Sequence, residues 1–167
     1  MPILIDAATQ HVFIHYIPLV FINTYSPQVL TANMRVVGAT AYALLLYRDK
    51  LPKFRNGVQT DEDGKTIRGT GRMIFNWFEW ERDGKEIPKI HPAQKPVTVL
   101  KQLIEIFTDE GDVVIDPCCG SGSTLRAERE LKRSEFGFEI DKNFYTRAKN
   151  EMLVFEDDNQ MNIFDLI

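Results

Sequence analysis

The spacing of apolar positions changes along this chain, and the change divides it. From Val97 to Thr108 the apolar residues Val99, Leu100, Leu103, Ile104 and Phe107 recur at helical spacing, with Pro96 at the entry. Glu110-Gly111-Asp112 reads as a turn. Val113-Val114-Ile115-Asp116 is then a short apolar strand ending in an acid. A Gly/Ser loop runs from Cys118 to Ser123, and Thr124 to Lys132 predicts a second helix with Leu125, Ala127 and Leu131 inward. Phe136-Gly137-Phe138-Glu139-Ile140 predicts another strand with an acid near its end, and Asn143 to Phe155 a third helix. Helix, strand, glycine loop, helix, strand and helix in this order make one α/β unit of a parallel sheet.

The first half is less regular. Residues 1–37 are apolar and interrupted by Pro18 and Pro27, which predicts one or two strands and a loop from Asn23 to Arg35. Val36 to Tyr47 contains Tyr42-Ala43-Leu44-Leu45-Leu46-Tyr47, a short apolar run that reads as a buried strand, stopped by Arg48-Asp49-Lys50. Glycines then break residues 49–90, and Asp61-Glu62-Asp63-Gly64-Lys65 predicts an exposed turn. Between those breaks Met73 to Trp80 carries Phe75, Trp77, Phe78 and Trp80. This patch is either a hydrophobic clasp for a long loop or a surface on which bases stack.

Composition narrows the classes. The 167 residues suffice for one core, and 44% apolar with 26% charged residues is ordinary for a globular domain. A net charge of −4 is a poor footprint for a protein that clamps nucleic acid alone, so any such contact is local or shared. The only cysteines, Cys118 and Cys119, are adjacent, a spacing that disfavours a disulfide and suits a reducing cytoplasm. No Cys/His spacing suits zinc, and His11 and His15 lack the neighbouring Glu of a metalloprotease helix, so no metal is expected. No run approaches the ~18 apolar residues of a membrane span, and Val12 to Asn23 is interrupted by His15 and Pro18. That stretch has no basic n-region of a signal peptide.

The candidate chemistry lies in Asp116-Pro117-Cys118-Cys119-Gly120-Ser121-Gly122-Ser123-Thr124. Gly120 and Gly122 can take positive φ and admit a ligand close to the backbone. The following helix start presents unpaired N–H groups. Glu139, about fifteen residues past the loop, stands where an acid accepts ribose hydroxyls in nucleotide-type sites. A P-loop would need a Lys after the second Gly, and the dinucleotide pattern a third Gly where Leu125 stands. An acid at the first strand end instead suits a cationic ligand such as S-adenosylmethionine, with its ammonium and sulfonium. A structural tight turn with no ligand is the alternative.

His91-Pro92-Ala93-Gln94-Lys95-Pro96, then Asp116 to Thr124, then Gly137-Phe138-Glu139-Ile140-Asp141 resembles the C-terminal part of the N4-cytosine/N6-adenine DNA methyltransferases. The order resembles their permuted β-type, and the orphan enzymes of phages and prophages most. The resemblance covers residues 86–153. It implies a Rossmann-like S-adenosylmethionine-dependent α/β fold, a mostly parallel sheet with flanking helices, incomplete where the catalytic segment is absent. It implies one domain over residues 1–167, with a loop or target-recognition insertion at 50–90 and the donor-binding unit at 91–155. Gln94, Lys95 and Pro96 would then lie beside the methionine end of the donor, with Lys95 near its carboxylate. Asp116 would face the ammonium. Pro117, Cys118, Gly120, Ser121 and Gly122 would line the loop, Glu139 would hold the ribose, and Phe138 or Ile140 would flank the adenine. Ala93 stands where the family usually has Thr, and Cys119 where it often has Ala.

The family transfers its methyl group with an Asp/Asn-Pro-Pro-aromatic motif, whose side chain and Pro carbonyl accept hydrogen bonds from the target amine while the ring stacks on the flipped base. No such motif stands in this sequence. Asn23-Thr24-Tyr25 and Asn76-Trp77-Phe78 lack its prolines, so no catalytic residue is assigned. Three readings stay open: a split or truncated product, an expressed fragment, or a methyltransferase-derived binding protein without catalysis. The expected partners are double-stranded DNA and either a subunit carrying the catalytic motif or a second copy, pairing at an open sheet edge. The expected setting is restriction-modification or DNA modification in the cytoplasm of a bacterium, with the gene carried by host or phage.

Overall fold

A computed structural model describes residues 15–24, 28–31, 36–48, 59–71 and 73–154, with Gln10 and Asn33 besides. Three small sheets form. Strands β1 (His15–Asn23), β4 (Thr40–Tyr47) and β5 (Trp77–Trp80) make the first, in the order β4-β1-β5. β1 runs antiparallel to β4, with Leu19 opposite Ala43, and parallel to β5, with Phe21 opposite Phe78. β5 pairs only from Val20 onward, so Pro18 sits where that side of β1 is still an edge, a position that tolerates a missing N–H. Strands β2 (Gln28–Thr31) and β3 (Val36–Gly38) form an antiparallel pair. The segment expected as a loop from Asn23 to Arg35 therefore contains a strand, and the strand expected from the run Tyr42 to Tyr47 forms within β4.

The second half follows the periodicity in element order, but the strand expected over Phe136 to Ile140 forms earlier, at Ser134–Gly137. Helix α1 spans Val97–Phe107, β6 Val113–Asp116, α2 Ser123–Glu130 and β7 Ser134–Gly137. β6 and β7 are parallel and joined through α2, with Ile115 opposite Phe136. The last helix, α3, covers Lys142–Arg147 and continues as a π turn, Ala148–Met152, whereas Phe155 lies outside the described residues. Asp141 starts α3 by accepting from the Asn143 and Phe144 amides at 2.8 and 3.0 Å.

Helix α1 holds the molecule together because both of its flanks are apolar. Val99, Leu103 and Ile106 pack on Leu19, Phe21 and Phe78 of the first sheet. Val97, Leu100 and Ile104 pack with Ala127 of α2 and Met152 of the π turn. These two sets repeat at spacings of three and four residues, the separation that puts side chains on one helix face. Across the helix pair, Lys101 meets Glu130 at 2.9 Å.

Candidate functional site

The loop after β6 bends because two glycines occupy left-handed conformations, Gly120 at φ 52° and Gly122 at φ 78°. Gly122 is also the N-cap of α2, and among the described residues no side chain caps that helix start. A Cβ at Gly122 would stand 3.2 Å from Cβ of Ala148, so the loop also rests closely on the π turn. The Asp116 carboxylate accepts from the Cys118 amide at 3.0 Å, which folds the first half of the loop back on the strand end. Glu139, just past β7, accepts from the Gly120 amide through Oε2 and from the Asp141 amide through Oε1, each at 2.8 Å. Each oxygen keeps a second lone pair for another donor.

A second segment closes the opposite wall. Gln94 folds the 88–94 turn onto itself: its Oε1 accepts from the Ile90 amide and its Nε2 donates to the Pro88 carbonyl, both at 2.9 Å. His91 stacks edge-on with Phe144 of α3 at 4.4 Å, and Arg147 donates to the Ile90 carbonyl at 3.1 Å. Lys95 follows, exposed, with its ammonium 5.0 Å from the ring centroid of Trp80.

Together the two walls enclose a cleft of about 220 Å³. Of the ten residues expected at the site, Gln94, Lys95, Asp116, Cys118, Gly120, Ser121 and Glu139 line it. Pro96, Pro117 and Gly122 do not stand in its wall. Pro96 is buried at the head of α1, Pro117 is exposed, and Gly122 is buried toward Ala148. Ala93, Ser123 and Thr124 also line the cleft. Ser121 and Ser123 are buried and share a hydroxyl hydrogen bond of 2.9 Å.

Among the described residues the cleft carries one cation, Lys95, facing two carboxylates, Asp116 and Glu139. Burial pushes the Cys119 thiol up, and the charges of Asp116 and Glu139 push it further, so Cys119 is a neutral wall rather than a nucleophile. Beyond the cleft, Phe138 and Ile140 stand 62% and 102% exposed on either side of Glu139, an apolar ledge open to solvent. The cleft itself is smaller than the ~300 Å³ at which enclosed ligand pockets begin, so the ledge extends the surface available to a ligand.

The aromatic segment divides by strand alternation. Phe78 is buried and Trp80 half-buried in the first sheet, while Phe75 and Trp77 stack on each other at 5.9 Å in an exposed position. Asn76 donates to the Pro18 carbonyl at 2.9 Å and its carbonyl accepts from Val20, a structural tie. Tyr25, of the other asparagine-led triplet, lies outside the described residues.

The family model described as DNA methylase, of the N6/N4 type, matches residues 19–150. The chain belongs to this DNA methylase family. The match runs from within β1 into the π turn. The type II methyltransferase M.MjaI of Methanocaldococcus jannaschii is 42% identical over 120 residues, covering 68% of this chain and 39% of that protein. M.HindIII of Haemophilus influenzae is 44% identical over 62 residues, covering 37% of this chain and 20% of that protein. The matched stretches thus span well under half the length of these curated relatives. Among solved structures, the M1.HpyAVI–SAM complex superposes with a TM-score of 0.62 at 23% identity, over 89% of this chain and 67% of that one. The cytosine-N4-specific PvuII DNA methyltransferase superposes with a TM-score of 0.63 at 18% identity, over 86% and 52%. The fold is the Rossmann-like methyltransferase fold expected from the motifs, and among the described residues its strands form small sheets with both antiparallel and parallel pairs.

Proposed function

We propose that this chain is the S-adenosylmethionine-binding part of a DNA methyltransferase that modifies adenine N6 or cytosine N4. The observation that carries the reading is the convergence of Lys95, Asp116 and Glu139 on one cleft floored by Gly120. Three polar groups of the donor have counterparts there. Lys95 suits its carboxylate, Asp116 its ammonium, and Glu139 its ribose hydroxyls. The exposed Phe138 and Ile140 suit the adenine faces. The absence of a Cβ at Gly120 lets the donor approach the loop backbone. When bound, the donor supplies an electrophilic methyl group on a sulfonium.

Isothermal calorimetry with S-adenosylhomocysteine tests the site. Saturable binding by the folded chain is expected. Absence of heat with the protein demonstrably folded favours the second reading, a methyltransferase-derived scaffold or interaction protein. What favours that second reading is specific: no two prolines are adjacent anywhere in the sequence, so the family's catalytic motif is not encoded in it.

On the first reading, methyl transfer needs a segment that supplies the motif, and this chain alone transfers little. Two observations support a protein partner, either a subunit bearing the motif or a second copy. Among the described residues β6 pairs only with β7, and Val113, Ile115 and Phe136 on these strands are more than half exposed. Double-stranded DNA is the substrate partner, with residues 50–90 as the target-recognition insertion and 91–155 as the donor-binding unit. The setting is DNA modification in a bacterial cytoplasm, the gene borne by host or phage. Multiple turnovers in a tritium-transfer assay with the chain alone would overturn the dependence on a second segment.

A further inference from the structure

We infer that Trp80 is a positioning residue for the donor site, holding the Lys95 ammonium where it meets the ligand carboxylate. The inference rests on the donor reading of the cleft. The two residues come from different parts of the chain, Trp80 from the end of β5 and Lys95 from the turn before α1. The Lys95 ammonium stands 5.0 Å from the indole centroid while the residue lines the cleft.

Both supports are themselves fixed. The indole meets Phe21 edge-on at 5.6 Å and 89°, and the Trp80 carbonyl accepts from the Thr24 amide at 3.5 Å. On the other side, the Gln94 amide pins the turn before Lys95, and the Asp83 carboxylate accepts from the Val97 amide just after it, at 2.8 Å. A lysine stem is otherwise flexible, and a Lys side chain loses rotamer freedom when it engages a ligand. An aromatic face within about 6 Å attracts the ammonium and narrows that freedom in advance. One side of the ammonium then faces the ring, while its remaining N–H groups stay available to a carboxylate. Nothing in the lysine's local sequence announces this, because Trp80 lies fifteen residues upstream.

The test compares two probes that differ at one end. S-adenosylhomocysteine carries the amino-acid carboxylate, and 5′-methylthioadenosine lacks it. Trp80→Leu is expected to weaken S-adenosylhomocysteine roughly two- to five-fold, the range of an exposed cation–π contact, and to leave methylthioadenosine unchanged. Trp80→Phe should retain most of the affinity. In the Lys95→Met background, Trp80→Leu should cost nothing further. Equal weakening of both probes, or the same loss with and without Lys95, would make Trp80 a structural residue and overturn the inference. Should Trp80→Leu fail to fold, the unaltered chain still decides: the Lys95 Hε protons should show an upfield ring-current shift by NMR, relieved in Trp80→Phe to a smaller value. No such shift overturns the inference. Failure of the folded chain to bind either probe would overturn the donor reading and this inference with it.

Discussion

The Gly120 amide points at the carboxylate of Glu139 and donates to its Oε2 at 2.8 Å. One acid thus ties the glycine loop after β6 to the end of β7, while its other oxygen takes the Asp141 amide ahead of α3. Removing it frees two backbone donors at once. Glu139→Ala is expected to lower stability by about 1 kcal/mol, the net contribution of hydrogen bonds whose donors water can reach, and to weaken S-adenosylhomocysteine at least about ten-fold, since hydrogen bonds to a charged acceptor contribute about 1.5–3 kcal/mol. Chemical denaturation and calorimetry read the two effects separately. Unchanged ligand affinity would remove Glu139 from the ribose role.

Gly137 marks how tightly the second strand approaches the helix between the strands. A Cβ there would stand 2.6 Å from Leu125 Cδ1 and 3.1 Å from Cys119 Sγ. Leu125 is buried, so its side chain has little room to turn away. Gly137→Ala should therefore cost about 1–3 kcal/mol through overpacking and shift the loop that carries Cys119. A lowered denaturation midpoint with an unchanged m-value checks it. A midpoint equal to that of the unaltered chain would mean that the strand and helix can separate freely.

The sequence made the second half legible because its contacts are local. The helical spacing from Val97, the acid after Val113-Val114-Ile115 and the two loop glycines each declare a structure within about ten residues. The first half was harder. Its strands pair across long separations, β1 with both β4 and β5, and the sequence carries no local mark of that order. Gln94 was expected beside a ligand and does line the cleft, yet its amide also bonds Pro88 and Ile90, a use its position alone could not reveal.

Asp83 is the clearest residue that local reading missed. Helix α1 begins after Pro96, which has no side chain to cap it. The Asp83 carboxylate, fourteen residues before Val97, accepts from the Val97 amide at 2.8 Å and reaches Thr98 at 3.5 Å. Burial raises its pKa, and the two amide contacts only partly offset that rise. Asp83→Ala should lower stability by about 1 kcal/mol, the usual cost of a lost N-cap. Because α1 follows Lys95 directly, the same change should weaken S-adenosylhomocysteine binding modestly. Denaturation of the two proteins side by side checks the first part. Equal stability would mean that water serves those amides as well as Asp83 does.

Glu128 gives the fold an unusual pH dependence. It sits fully buried on α2, both its oxygens lack a hydrogen-bond partner among the described residues, and burial, with Glu135 and Asp116 nearby, raises its pKa from 4.5 to about 7. A raised acid pKa means that the folded chain keeps a proton which the unfolded chain has already released. The group is therefore neutral in its effect below about pH 4.5, and stability falls as pH rises from there to about 7. Above that window the loss levels off at about 3 kcal/mol, an order-of-magnitude figure from the size of the gap. Glu128→Met keeps the volume and removes the charge. The variant should exceed the unaltered chain in stability by roughly 2–3 kcal/mol at pH 8, and the difference should shrink toward pH 5. Urea denaturation at a series of pH values measures that difference directly, cancelling groups common to both proteins. A difference that does not change between pH 5 and 8 would mean that Glu128 ionises in the folded chain as it does in water.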